Sequence, residues 1–319
     1  MRRRDFLAAA AATSLAAPAQ AQAWPSKPIK LVAPFAPGGG SDFTSRLIAE
    51  KMSALLGQTM LVENKPGAGG NLGAEAAIKS PADGYTYLTI SGSYAINSIL
   101  HKPSFDSLND IVAIGQFTDE PTLLTVNPAV PAKSLAELVA LCKRAPGKLS
   151  YGSSGPGGLL HLGTEFFLDA AGIKATHVPY RGTALALTDL LAGNLQILTG
   201  GTTTLLPYVK GGKLRALATS ATKRLTAAPD IPTYGEQGFP TLEFNLWHGM
   251  IGPKGIPGEI VARMNRALDA VLKSPEVSNR LAEDGVITVG GTSNAFMATI
   301  RAEVERWQTF IQRTGIKLE

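Results

Sequence analysis

Two glycine-rich segments bring together backbone amides, hydroxyls and helix starts, a combination suited to holding an anion. The first is Pro34-Phe35-Ala36-Pro37-Gly38-Gly39-Gly40-Ser41-Asp42, and the second is Tyr151-Gly152-Ser153-Ser154-Gly155-Pro156-Gly157-Gly158. Each falls between the end of a predicted strand and the start of a predicted helix, where open α/β sheets bind ligands. Glycine lets main-chain N–H groups approach a ligand with no Cβ in the way. The free amides of a helix start and the helix dipole both favour negative charge. Ser41, Ser153 and Ser154 add hydroxyl donors. Either loop alone reads equally as a tight turn, but two such loops in separate halves of the chain argue for a site split between them.

Other chemistries fit less well. A dinucleotide fingerprint G-x-G-x-x-G would need glycine at 43, where Phe43 stands, or at 160, where Leu160 stands. Gly67-Ala68-Gly69-Gly70 fails the same test at Leu72, and no phosphate-binding G-x-x-x-x-G-K-[ST] occurs. The nucleophile elbow G-x-S-x-G is missing, because Gly152-Ser153-Ser154-Gly155 is followed by Pro156. His161 follows the second loop. It is a candidate base for Ser153 or Ser154, and also a helix-face residue that orients the loop. His101, His177 and His248 lack metal-ligand spacing, so no metal or cofactor is expected. Arg181, in Tyr180-Arg181-Gly182, is either a carboxylate partner or a surface charge at a helix start.

The elements that must position these loops alternate along the chain. Ile29 to Val32, Thr59 to Glu63 and Tyr85 to Ile90 read as strands. Helices starting at Ser41 or Asp42 and at Asn71 separate them. This β-α-β-α-β order predicts a parallel sheet with helical crossovers. A second unit follows, with strands at Thr122 to Val126, Leu149 to Tyr151, Thr176 to Pro179, Leu195 to Thr199 and Leu214 to Ser220. Ser134 is expected to cap a helix reaching Ala145. The C-terminal part is mostly helical, with one strand-like run at Val286 to Val289, too little for a third sheet. The expected fold is therefore a two-lobed α/β protein, each lobe a mostly parallel sheet flanked by helices. Residues 24–121 plus 247–319 form one lobe and 122–246 the other, joined by two hinge crossings.

The N-terminus speaks to location. Arg2, Arg3 and Arg4 precede an Ala/Leu-rich stretch too short to span a bilayer. Two A-x-A cleavage patterns end by Ala23, so residues 1–23 read as a signal peptide. Arg3-Arg4-Asp5-Phe6-Leu7 has the twin-arginine form. Without Arg2, Arg3, Arg4 and Asp5 the formal net charge falls from +5 to about +3. With no later basic run and only 7% aromatic residues, nucleic acid binding is excluded. Cys142 is the lone cysteine and is expected as a buried thiol.

Three further stretches bear on family: Val62-Glu63-Asn64-Lys65-Pro66-Gly67-Ala68-Gly69-Gly70-Asn71-Leu72-Gly73, Ser80-Pro81-Ala82-Asp83-Gly84-Tyr85-Thr86, and His177-Val178-Pro179-Tyr180-Arg181-Gly182. Together with the first loop they resemble the Bug-type extracytoplasmic solute receptors, the binding proteins of tripartite tricarboxylate transporters. The likeness continues through Gly212-Lys213-Leu214-Arg215 and Trp247-His248-Gly249-Met250 and covers essentially the whole mature chain. It implies a periplasmic receptor that holds a small carboxylate between its lobes, mainly through loop amides and ordered water, and delivers it to membrane transporter subunits. Carried over, the ligand-facing residues are Phe35, Gly38, Gly39, Gly40, Ser41 and Asp42 on one side. On the other they are Ser153, Ser154, Gly155, Gly157, Gly158 and Tyr180, to which the reading of the residues themselves adds His161 and Gly200. Family members often carry acidic residues where this chain has Gln196 and Gly200. That departure argues against an amino acid and for a di- or tricarboxylate, a hydroxy acid or an aromatic acid. A monomer is the simplest expectation. A sensory protein serving a membrane kinase and a serine hydrolase built on Ser153 or Ser154 with His161 remain as alternatives.

Overall fold

Short apolar runs bounded by glycine and proline form the strands. The first, β1 (Ile29–Ala33), buries every residue but Lys30. It is followed by α1 (Gly40–Leu56), β2 (Met60–Asn64), α2 (Asn71–Ile78), β3 (Thr86–Ser91), α3 (Gly92–Leu100) and β4 (Ile111–Glu120). The computed structural model describes residues 24–101, 103–242 and 244–314; the signal peptide assigned to 1–23 lies outside the described residues. The second unit runs β5 (Thr122–Val126), α4 (Leu135–Arg144), β6 (Ser150–Ser153), α5 (Leu159–Ala170), β7 (Thr176–Pro179), α6 (Thr183–Ala192), β8 (Ile197–Gly201), α7 (Thr202–Lys210) and β9 (Arg215–Thr219). The chain then returns through β10 (Leu246–Pro253), α8 (Gly258–Lys273), α9 (Pro275–Ala282), β11 (Ile287–Gly290) and α10 (Ser293–Thr314).

These strands make two sheets, a six-stranded one ordered β11-β4-β10-β3-β1-β2 and a five-stranded one ordered β7-β6-β8-β5-β9. The expectation of mostly parallel sheets is corrected, because both are mixed. β2-β1-β3 and β7-β6-β8 are parallel, as the β-α-β pattern requires. The pairings β3-β10, β10-β4, β4-β11, β8-β5 and β5-β9 are antiparallel. The reason lies in the crossings. β4 carries the chain out of the first sheet and passes through Pro121 directly into β5, while β10 brings it back alongside. Outgoing and returning strands that lie side by side must run in opposite directions.

Each sheet has its own core. Ile29, Leu31, Tyr87 and Met250 pack with Met264 and Leu268 of α8. Leu124, Tyr151 and Ile197 pack with Leu138, Leu162 and Phe167. Cys142 lies in this second core as a free thiol. One cluster joins the lobes: Ala95 and Ile96 of α3 and Trp307 of α10 belong to the second lobe's core. Helix α10 starts beside Trp247 of the first sheet through Phe296 and Ile300. Fourteen residues beyond Phe296, Phe310 meets Phe166 edge-on at 5.0 Å. The last turns of α10 thus rest against the second lobe. Among the described residues no helix is long and apolar enough to cross a membrane.

Candidate ligand-binding site between the lobes

Where the parallel strands end, five helices begin whose N-cap residues offer no side-chain cap of their own. Their N-cap positions are Gly39, Ser91, Gly158, Gly182 and Gly201, before α1, α3, α5, α6 and α7. Among the described residues only single amides at the α5 and α7 starts go to side chains from elsewhere, Leu159 to Ser93 Oγ and Thr203 to Glu120 Oε1. The first turn of any helix leaves amides without intrahelical partners, and capping side chains normally satisfy some of them. Residues at all five starts border one cavity of about 40 Å³: Gly39, Gly40 and Ser41; Ser91 and Ser93; Ser154 and Leu160; Thr183; Gly201 and Thr204. That space exceeds what a single water needs. Phe35, Leu246 and His248 add to the wall, and no Asp, Glu, Lys or Arg lines it. Burial pushes the His248 imidazole down to about 4, so it is neutral. The cavity is a ring of neutral donors with five positive dipole ends around it. Ser41 Oγ is buried there with no hydrogen-bond partner.

The first loop is shaped by Asp42. Its carboxylate accepts from the Gly38 amide at 3.0 Å, Arg46 Nε at 3.1 Å and Asn64 Nδ2 at 2.9 Å. Burial alone would raise the Asp42 pKa, but the hydrogen bonds from Arg46, Gly38 and Asn64 outweigh it and hold it below the usual value. The helix expected to start at Ser41 or Asp42 starts slightly earlier, at Gly40, so both lie within its first turn and neither caps it. Asp42 folds the loop back on itself instead. Gly38, at φ +87, needs glycine, and its amide is already used by Asp42.

The second loop is held by histidines. The Gly157 amide donates to His161 Nδ1 at 3.1 Å, so His161 orients the loop. Ser153 Oγ pairs at 2.7 Å with Nε2 of His177, not with His161. The two imidazoles stack at 4.0 Å, and burial pushes both down to about 4. Ser153 is fully buried, whereas Ser154 borders the cavity and has no histidine partner. The serine that could meet a ligand is therefore not the serine that has a base.

Of the residues singled out in the sequence, Phe35, Gly39, Gly40, Ser41 and Ser154 border the cavity. Gly38, Asp42, Ser153, Gly155, Gly157, Gly158 and His161 build the loops behind it. Tyr180 donates its hydroxyl to Asp189 Oδ2 at 2.6 Å and stands off the cavity. Gly200 packs beneath α7, where a Cβ would meet Leu205 at 2.8 Å; its neighbour Gly201 takes the cavity position. Arg181 is exposed, and its carbonyl accepts from the Ala36 amide at 3.2 Å across the lobes. Sequence reasoning missed Ser91, Ser93, Thr183, Thr204 and His248. The available signal was positional, since each follows the end of a strand or sits in the returning β10.

The cavity wall itself carries no acidic group, but one lies just behind it. Gln196 is tied to Ser150 at the other end of β8. A carboxyl from a different strand, Glu120 of β4, stands directly against Gly201. A Cβ on Gly201 would lie 2.2 Å from Glu120 Oε1.

Residues 44–316 match the family described as the tripartite tricarboxylate transporter family receptor. The chain belongs to that family. It is 34% identical over 312 residues to protein BugT of Bordetella pertussis, covering 97% of this chain and 96% of the relative. Two solved structures share the fold closely. The periplasmic binding protein BugD superposes with a TM-score of 0.89 at 30% identity, over 93% of this chain and 100% of that one. Rpa4515 of R. palustris, described with adipate, superposes with a TM-score of 0.89 at 32% identity, over 92% of this chain and 99% of that one. The chain is thus a two-lobed solute receptor of a tripartite transporter.

Proposed function

We propose that this receptor captures a small organic carboxylate in the interlobe cavity, in the periplasm, and presents it to transporter subunits in the membrane. The observation that carries the proposal is the convergence of five helix starts, none capped by its own N-cap side chain, on one cavity walled by neutral groups. Hydrogen bonds to a charged group contribute about 1.5–3 kcal/mol each. Four or five, less the cost of immobilising the ligand, leave micromolar affinity, about 8 kcal/mol. Neutral donors bind without the penalty of burying a counter-charge, and release stays easy.

Di- and tricarboxylates, hydroxy acids and aromatic acids fit this wall, and adipate bound to a relative supports the dicarboxylate end of that range. Binding proceeds without turnover, because Ser154 lacks a base. Export would use the 1–23 segment, whose Arg3-Arg4-Asp5-Phe6-Leu7 suits the twin-arginine route. Capture would close the lobes 24–121 plus 247–319 and 122–246 about the crossings, in a monomer. A thermal-shift screen of the mature chain with malate, adipate, citrate and benzoate, each beside its amide, tests the reading. A ligand that binds only the folded state raises the melting temperature. A rise with one acid class that vanishes with its amide is expected; equal shifts with acids and amides would overturn it.

A further inference from the structure

Glu120 is the last residue of β4 and has no exposed surface. Its two oxygens differ. Oε1 accepts from the Thr203 amide at 2.8 Å and the Thr203 hydroxyl at 2.6 Å. Oε2 has no hydrogen-bond partner. Leaving a buried polar atom unmatched is costly, so Oε2 is expected to meet something when the receptor is loaded. What separates it from the cavity is glycine. A Cβ on Gly40 would lie 3.4 Å from Oε2, and one on Gly201 would lie 3.0 Å from it, and both glycines border the cavity.

The surroundings do not favour a negative charge. His248, from β10, faces Oε2 at 3.8 Å and is neutral. Asp119 on the same strand and Asp284 after α9 both disfavour a further anion, and Asp284 is bound to Arg280 at 2.9 Å. On α1 the Arg46 charge is matched by Asp42 at 2.9 Å. Burial, chiefly, and then these acids push the Glu120 carboxyl up to about 7 against the favourable Thr203 bonds.

We propose that Glu120 acts in the loaded receptor as a neutral acid, donating Oε2–H to an oxygen of the bound carboxylate directly or through one water, so that ligand capture takes up a proton. This rests on the carboxylate reading above and deepens it. Glu120 becomes the specificity-determining residue that admits a second ligand carboxylate and rejects an ammonium, which a neutral donor cannot hold. The proton comes from solvent. Below about pH 6 the acid is already protonated and affinity is flat; above about pH 7 each capture must first protonate it, so affinity falls.

The test is titration calorimetry of the full mature receptor with adipate and malate, in buffers of different ionisation enthalpy. Dissociation constants should weaken about twenty-five-fold between about pH 6.5 and 8.5, with close to one proton taken up per ligand near pH 8. E120Q keeps a neutral donor, and its affinity should no longer vary with pH. E120A should bind about tenfold more weakly at low pH. Wild-type binding that is flat in pH with no proton uptake overturns this inference and leaves the carboxylate reading intact. Binding of neither acid at low pH, with the amides binding instead, overturns both. Affinity that rises with pH, favours aspartate and is lost in E120Q would make Glu120 an ionised acceptor and contradict the proposal. Proton uptake by the wild type decides the matter even if a variant fails to fold.

Discussion

Asp42 shows how a residue can be essential to the site without touching its ligand. Its carboxylate gathers the Gly38 amide, Arg46 and Asn64, and Asn64 in turn donates to the Phe35 carbonyl at 3.0 Å. These bonds fix the loop that carries Gly39 and Gly40 to the cavity. Asp42→Ala should cost about 1.5–3 kcal/mol of stability in urea unfolding, the range for a hydrogen bond to a charged group, and should also weaken carboxylate binding. The sign with pH follows from the depressed pKa. The folded form binds its proton less readily than the unfolded chain, so the contribution is present above the ordinary carboxylate range, about 4, and is lost as pH falls through the lower folded value. A wild-type advantage over Asp42→Ala that persisted undiminished below about pH 2 would contradict this account. Ser153 and Ser154 make a related point. They are adjacent in sequence, yet the buried one pairs with His177 and the other faces the cavity.

At the scale of elements the active parts are helix starts. A helix N-terminus favours an anion by about 0.3–1 kcal/mol, so five starts supply a few kcal/mol and their amides supply the directed bonds. Two of the five were legible in the sequence, because α1 and α5 follow loops with several glycines. α3 starts straight from β3 without a loop, and α7 starts straight from β8 at Gly200-Gly201, so no separate glycine-rich loop marks either. α6 was expected as a helix, but its role depends on where β7 places it. The cores were legible from apolar runs, as was the Ser134 cap, which accepts from the Glu137 amide. The antiparallel pairings were not legible, because β4 carries no strong local pattern and its partners lie more than a hundred residues away in β10 and β11. The Glu120 carboxyl escaped for the same reason, since only the fold sets it against Gly201. Gly40 offers a test at this scale. A Cβ there would lie 2.6 Å from Thr203 Oγ1 on α7. Gly40→Val should therefore hold α1 and α7 apart and weaken carboxylate binding at least about a hundredfold, an effect of about 2.7 kcal/mol or more. Circular dichroism should show the fold retained. Unchanged affinity in the folded variant would remove the α1 start from the site.

For the whole molecule, the lobes are joined by β4–β5, by the return into β10, and by α10, which begins on one lobe and ends on the other. The lobes also touch at the cavity rim, where the Leu159 amide donates to Ser93 Oγ at 3.0 Å and Ala36 donates to Arg181. A receptor built this way has two states that a ligand can bias through the contacts only the closed form makes. The aromatic seat of Trp307 and Phe310 against Phe166 would shift as the lobes part. The central claim is that helix-start amides hold the carboxylate. The most direct measurement is a crystal structure of the mature receptor with adipate or malate, read for the distances from the ligand's carboxylate oxygens. The account predicts at least one carboxylate between the lobes with oxygens about 2.7–3.2 Å from main-chain amides at the starts of α1, α5 or α7, or bridged to them by one water. A carboxylate held instead by Arg181 or another exposed cation, with those helix starts unengaged, would contradict it.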